Sequence, residues 1–210
     1  MRLLLKRSAP LCYSHKTMSY EEMYHHLTSR LILHAGEGPI AQVRLAFEIA
    51  ERAHAGQMRD EGTPYILHPL RVAISLVDEL NIYSARMVSA ALLHDVIEDS
   101  ETTREQIAEM FGEQVARAVW LLTKLETVSL QEYLAAIEAA PETGAPIVKL
   151  CDRLDNLRHL ARSPKLEKKL RCVRTTEMYY LPLAERTHPY LHEQMRSSLE
   201  SARSHLASLA

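Results

Sequence analysis

The chain has 210 residues, 47% of them hydrophobic and 25% charged, a balance that suits one globular domain with a substantial buried core. A net charge of -2 supplies no broad cationic surface, which argues against nucleic acid or an anionic membrane as partner. Only six glycines and 6% aromatics disfavour an all-β fold, and no apolar run approaches the roughly 18 residues needed to cross a bilayer.

The first twenty residues stand apart, with Arg2, Lys6, Arg7, His15 and Lys16 ahead of the first acid, Glu21. Leu3-Leu4-Leu5 is too short for the apolar block of a signal peptide. Residues 1–38 therefore read as an extension whose first roughly 17 residues are disordered, with Met18 as an alternative start. After Gly36-Glu37-Gly38-Pro39, a helix over 40–55 carries Val43, Phe47, Ala50 and His54 on one stripe and ends at Gly56. Gln57 to Tyr65 holds turn residues without a period and reads as a loop. Pro69 suits the first position of the next helix, which runs to Leu80, because its missing N–H costs nothing there.

Ser84 caps a helix that climbs through Val88, Ala91 and Leu92 to His94. Overlapping capping boxes, Thr102/Thr103 with Glu105/Gln106, start a short helix that Gly112 stops. Further helices are predicted over 113–125, 130–140 (capped by Ser129 with Glu132), 146–161, 165–185 and 190–208, with Pro141 to Pro146 as the clearest internal loop. The fold class is all-α, one helical-bundle domain. Cys12, Cys151 and Cys172 form no C-x-x-C pair and are odd in number, which reads as a reducing, cytoplasmic setting.

The chemistry concentrates in Leu92-Leu93-His94-Asp95-Val96-Ile97-Glu98-Asp99. Residues three and four apart share a helix face, so Glu98 lies over His94 and Asp95, and Asp99 over Asp95. Such a cluster at the end of an apolar segment calls for a positive centre. Imidazole together with carboxylate suits a first-row ion such as Mn²⁺, Fe²⁺ or Zn²⁺ better than Ca²⁺. The neighbours His94 and Asp95 reach one ion only where a helix ends or distorts, and two more ligands must come from elsewhere.

His68, beside Pro69, and Asp152, which interrupts Ile147-Val148-Lys149-Leu150-Cys151, are the candidates. Asp152, Asp155, Asn156 and His159 form a polar stripe on an otherwise apolar helix, the pattern of a cleft lining. Singly, each has another reading: His68 as a capping residue, Asp152 as a partner of Arg153 or Arg158 on a solvated face, His54 as a satisfied core histidine.

Together the residues resemble a family. The string His54-x-Gly56-Gln57-x-Arg59-x-x-Gly62-x-Pro64-Tyr65-Ile66-x-His68-Pro69-x-x-Val72-Ala73 is followed by Ala91-Leu92-Leu93-His94-Asp95-Val96-Ile97-Glu98-Asp99. Then come Lys149-Leu150-x-Asp152-Arg153-x-x-Asn156-Leu157-Arg158 and Arg174-x-Thr176-x-x-x-Tyr180-x-Pro182-Leu183-Ala184-x-Arg186. In this order they resemble the HD-type hydrolase domain of the RelA/SpoT family, over residues 40–186. The resemblance implies a stand-alone small alarmone hydrolase that removes the 3′-pyrophosphate of ppGpp or pppGpp, giving GDP or GTP and pyrophosphate. Its HD domain would span 39–188, and 189–210 would be a C-terminal helix packed on the domain or on a partner subunit.

The same resemblance implies that His68, His94, Asp95 and Asp152 hold the metal, usually Mn²⁺, and that Glu98 and Asp99 are the paired catalytic carboxylates. It places Arg59 against the guanine base and Asn156 against the nucleotide. Lys149, Arg153 and Arg158 are available to neutralise phosphate. Two positions depart from the family: Asp60 stands where lysine is common, and Thr175 where an acid is usual. The oligomeric state stays open, homo-oligomers included. The alternatives are an HD phosphohydrolase of another nucleotide and a catalytically inactive alarmone-binding protein.

Overall fold

The computed structural model describes residues 18–208, so the expected disorder of the basic N-terminus and the setting of Cys12 lie outside the described residues. Among the described residues there are helices, one isolated bridge between Met58 and Pro64, and no strand. The first helix, α1 (Tyr20–Ala35), has no counterpart among the elements expected from sequence. Its signal is the capping box Ser19-x-x-Glu22: the Glu22 N–H donates to Ser19 Oγ and the Ser19 N–H to the Glu22 carboxylate. Met23, Leu27 and Leu31, four residues apart, bury one face of α1.

α2 (Ile40–Ala53) ends two residues earlier than predicted, and Gly56 takes φ +74° in the turn beyond it. α3 (Leu67–Ile74) makes Pro69 its third residue rather than its first. The reason the shift is harmless is that no N–H of the first turn has an intrahelical acceptor to lose. α3 runs on into a wide π-turn, Ser75–Glu79, whose last two acids act as clamps. Asp78 accepts from Arg30 Nε at 2.9 Å and lies 2.6 Å from His26 Nε2, which ties down α1. Glu79 takes both terminal nitrogens of Arg158 and the Tyr190 hydroxyl.

α4 (Ala85–Leu93) starts after Ser84, which has the extended backbone of an N-cap but makes no side-chain cap bond. α5 (Val96–Asp99) is a single turn. In α6 (Arg104–Phe111) it is Thr103 with Gln106 that closes the capping box. α7 (Glu113–Leu122) and α8 (Leu130–Glu138) follow, α8 with the predicted Ser129/Glu132 box. α9 (Ala145–His159) is the central helix: it packs against α3, α4, α7 and α8, and its Val148, Leu150, Leu154 and Leu157 are buried.

The predicted helix 165–185 is continuous but changes pitch, as α10 (Leu166–Thr175), a π-turn (Thr176–Tyr180) and α11 (Leu181–Thr187). Pro182 explains the change, since it lacks an N–H and its ring would strike the carbonyl four residues back in a regular α-helix. α12 (Pro189–Ala207) buries Leu191, Met195, Leu199 and Ala202 and packs against α9 and α11 of its own chain. Cys151 and Cys172 are buried free thiols. No helix among the described residues is long and apolar enough to cross a membrane.

α9 is capped at its start by Gly144, which has φ +78°, and a Cβ there would lie 2.8 Å from Met87 Cγ. Gly144→Ala is predicted to destabilise the protein by about 1–2 kcal/mol from the left-handed backbone alone. The measurement is a urea melt, in which the midpoint falls while the slope is unchanged.

Candidate active site

Helix α4 stops at Leu93 and α5 starts at Val96, so His94 and Asp95 sit on the break between them. His94 is fully buried, and its Nδ1 lies 2.8 Å from the carbonyl of Ala91. A carbonyl only accepts, so Nδ1 carries a hydrogen and Nε2 is the nitrogen turned toward the centre. That Nε2 is buried with no hydrogen-bond partner, 3.1 Å from Asp95 Oδ2. His68, on the first turn of α3, is oriented in the same way: its Nδ1 lies 2.6 Å from Asp155 Oδ2, which leaves Nε2 facing Asp152 Oδ1 at 3.2 Å and Asp95 Oδ2 at 3.8 Å.

Ligand atoms of His68, His94 and Asp95 lie within 4.8 Å of one another. Two buried imidazole Nε2 atoms beside a carboxylate, one of them without a hydrogen-bond partner, form a donor set that fits a divalent metal ion. Asp152 stands at the edge of this group. Its Oδ1 accepts from Asn156 Nδ2 at 2.6 Å, and its Oδ2 pairs with Lys149 Nζ at 2.9 Å. Its partner is therefore Lys149 rather than Arg153 or Arg158.

The electrostatics follow from this crowding. Burial opposes ionisation of the Asp95 carboxyl, but the His94 imidazole beside it prevails and holds it below the usual carboxylate range. Burial likewise opposes the charge on Asp152, and Lys149 and the two imidazoles outweigh it. For His94 burial disfavours the imidazolium, yet Asp95 and Asp152 push its pKa up to about 9. A field that holds a proton on a fully buried imidazole is one that a cation would also satisfy. Burial and the Asp95 charge keep the Tyr65 phenol protonated, and it donates to Asp95 Oδ2 at 2.7 Å.

The two following carboxylates lie on the turn beyond His94 and Asp95, with the Glu98 and Asp99 N–H groups both donating to the Asp95 carbonyl. Glu98 accepts from the backbone N–H of Lys124, and partial burial raises its pKa despite that bond. Asp99 accepts from Gln57 Nε2 at 3.3 Å, and Gln57 in turn holds Nδ1 of His54 at 2.6 Å. His54 is buried as a core histidine, although its Nε2 has no partner.

Two cavities of about 310 and 330 Å³ open beside this centre and share Arg59, Arg153, Asn156 and Lys168. The smaller contains His68, Asp95, Lys149 and Asp152; the larger runs on to Leu130, Leu160, Cys172 and Tyr180. Arg59 donates to Asn156 Oδ1 at 2.6 Å, which links the loop to α9. Arg153 lies 3.8 Å from the centroid of the Tyr180 ring. Arg158 is turned to Glu79 and lines neither cavity, so two of the three candidate bases face the cleft. Thr175 lines the larger cavity while its hydroxyl donates to the Arg171 carbonyl.

Residues 46–188 match the family model described as HD domain. The chain belongs to the HD-domain family. It is 37% identical over 175 residues to a guanosine-3′,5′-bis(diphosphate) 3′-pyrophosphohydrolase of Aquifex aeolicus, an alignment that covers 80% of this chain and 24% of that one. A human protein of the same enzyme name is 43% identical over 127 residues, 58% of this chain and 71% of the human one. Among solved structures, a metazoan ortholog of SpoT described as hydrolysing ppGpp is superposable with a TM-score of 0.67 at 25% identity, over 77% of this chain and 95% of that one. The chain spans a quarter or less of the length of several long curated relatives that it matches.

Three supports of this HD domain's centre are not evident from sequence: Arg71, and the roles of Tyr65 and Asp155. Asp155 accepts from Arg71 through Nε at 2.6 Å and Nη2 at 3.1 Å while holding His68. The available signal was its place on the polar stripe of α9, one turn after Asp152. Asp155→Ala is predicted to weaken metal binding about 10–100-fold, because the His68 ring loses its orienting partner. It should also cost about 3–5 kcal/mol of stability by leaving a buried guanidinium unpaired. Metal titration by calorimetry and a denaturant melt measure the two effects separately.

Proposed function

We propose that this HD domain, taken as residues 39–188 with 189–210 packed on it, removes the 3′-pyrophosphate of ppGpp or pppGpp, with Mn²⁺ as its metal. The observation that carries the reading is the junction of the two cavities: a cluster of metal-binding donors closes the polar one, and a more apolar one large enough for a nucleoside opens from it. The names of the relatives, one of which the chain spans to 71%, support the same substrate class.

His68, His94, Asp95 and Asp152 would hold the ion, which when bound supplies Lewis-acid polarisation of a phosphoryl oxygen and acidifies water. Lys149 keeps Asp152 aligned and, with Arg153, brings positive charge to the phosphates. Arg59 offers a planar guanidinium to the base and Asn156 a polar edge to the nucleotide. Glu98 takes the proton of the attacking water, a task suited by its raised pKa. Asp99, tethered through Gln57, steadies that water. Water attacks the phosphorus bonded to the 3′ oxygen, that P–O bond breaks, and the oxygen regains a proton as GDP or GTP leaves with pyrophosphate.

Incubation with ppGpp, with and without Mn²⁺ and followed by nucleotide chromatography, should yield GDP and pyrophosphate only when metal is supplied. Absence of both products from the Mn²⁺-supplied protein would refute the assignment. His94→Ala and Asp95→Ala should lose metal and turnover together. Glu98→Gln should keep its metal, measured by elemental analysis, while turnover falls about 10²–10⁴-fold.

A further inference from the structure

On the proposed function, we infer that Lys168 is a phosphate-binding residue of this chain, delivered to the cleft from α10 and positioned there by Asp60. Asp60 lines the polar cavity, where an unpaired acid would repel a polyanion. It is not unpaired: Lys165 Nζ lies 2.7 Å from its Oδ1 and Lys168 Nζ 2.6 Å from its Oδ2. The trio carries one net positive charge, so this corner of the cleft is cationic even though the loop contributes an acid. The hydrogen bonds from both lysines hold the Asp60 pKa at about 2, so its carboxylate stays ionised near neutrality.

The two lysines have different positions. Lys168 lines both cavities and Lys165 lines neither. The Lys168 side chain is 40% exposed and that of Lys165 is 66% exposed. Of the four residues common to both cavities, Arg59 is held by Asn156 and Glu61, and Arg153 lies over Tyr180. Lys168 is the ammonium at the neck, within reach of a phosphate that joins the nucleoside half of a ligand to the metal half. The double pairing makes the transfer cheap. When Lys168 swings to a phosphate, Lys165 still satisfies the Asp60 carboxylate, so no bare acid is left behind. Ser163 Oγ, 3.5 Å from Asp60 Oδ2, adds a further contact between loop and turn.

The test is steady-state hydrolysis of ppGpp by the Mn²⁺-supplied full chain, with melting temperatures measured alongside. K168M should raise KM about tenfold and leave kcat within about twofold, the signature of a lost charge-assisted contact made in ground and transition states alike. K165M keeps the Lys168 ammonium but leaves Asp60 with a single lysine partner, so its KM should rise by clearly less than that of K168M. The swap D60K/K168D keeps an ion pair across the same gap and returns a lysine from the loop side, so its KM should lie well below that of K168D alone. A K168M enzyme with normal KM, or equal losses in K165M and K168M, would overturn the inference and leave the trio a structural strap. A wild-type protein with no turnover would instead overturn the proposed function itself.

Discussion

Asp155 is a carboxylate buried to 4% exposure, and the geometry of the His-Asp centre depends on how it is satisfied. Burying such a group is unfavourable unless it is paired and hydrogen-bonded. Here Arg71 grips both oxygens, His68 Nδ1 meets one of them, and the His159 ring lies 3.2 Å from the other. Burial opposes its charge, but these partners hold its pKa well below the ordinary range. Arg71 and His68 both belong to α3, one turn apart, so a single acid on α9 fixes the crossing of two helices and the rotation of an imidazole. With Nδ1 committed to Asp155, Nε2 can face only the centre. Asp152, one turn earlier on α9, points to that same centre.

The other half of the site needs an irregularity. Consecutive residues on a regular α-helix diverge by about 100° around its axis, so His94 and Asp95 could not both address one point from within it. The end of α4 at Leu93 and the restart at Val96 remove that restriction. Each side chain is then held from outside the pair, His94 through the Ala91 carbonyl and Asp95 through the Tyr65 hydroxyl. Tyr65 comes from the loop after α2, where Tyr65 N–H donates to Gln57 O and Arg59 N–H to Thr63 O. That loop thus supplies both a support for Asp95 and Arg59, and it needs Gly62 at φ +78° to fold back.

Most of the helices were legible because their apolar period and caps are local. Ser129/Glu132, Thr103/Gln106 and Gly112 marked boundaries that the structure reproduces within a residue. α1 was missed although Ser19-x-x-Glu22 announces it, because the basic segment before it drew the whole region into an extension. The His-Asp pair was legible as a break in a helix, and His68 and Asp152 as exceptions to their surroundings. Arg71 and Asp155 were not, because the need for them arises only when positions 84 residues apart meet. Asp60 is the clearest case of a local reading that tertiary structure changes: its carboxylate is neutralised by two lysines more than a hundred residues away.

The cleft consequently has two electrical ends. At one, Asp95 and Asp152 outweigh burial strongly enough to keep a proton on His94. At the other, Arg59, Arg153 and Lys168 gather where the cavities join. A polyphosphate entering an ion-free cleft would be drawn to the cationic neck and repelled by the carboxylates behind it. A divalent cation among those carboxylates would reverse the second term, and a phosphate beside it would in turn strengthen retention of the cation. With an ion held there, metal and anion would stabilise one another across the site, and by linkage each would raise the affinity for the other by the same factor. Asn156 joins the two ends physically, donating to Asp152 on the metal side while accepting from Arg59 on the other. Arg59 and Asp152, from the two ends of the cleft, thus share one positioning partner in a single amide.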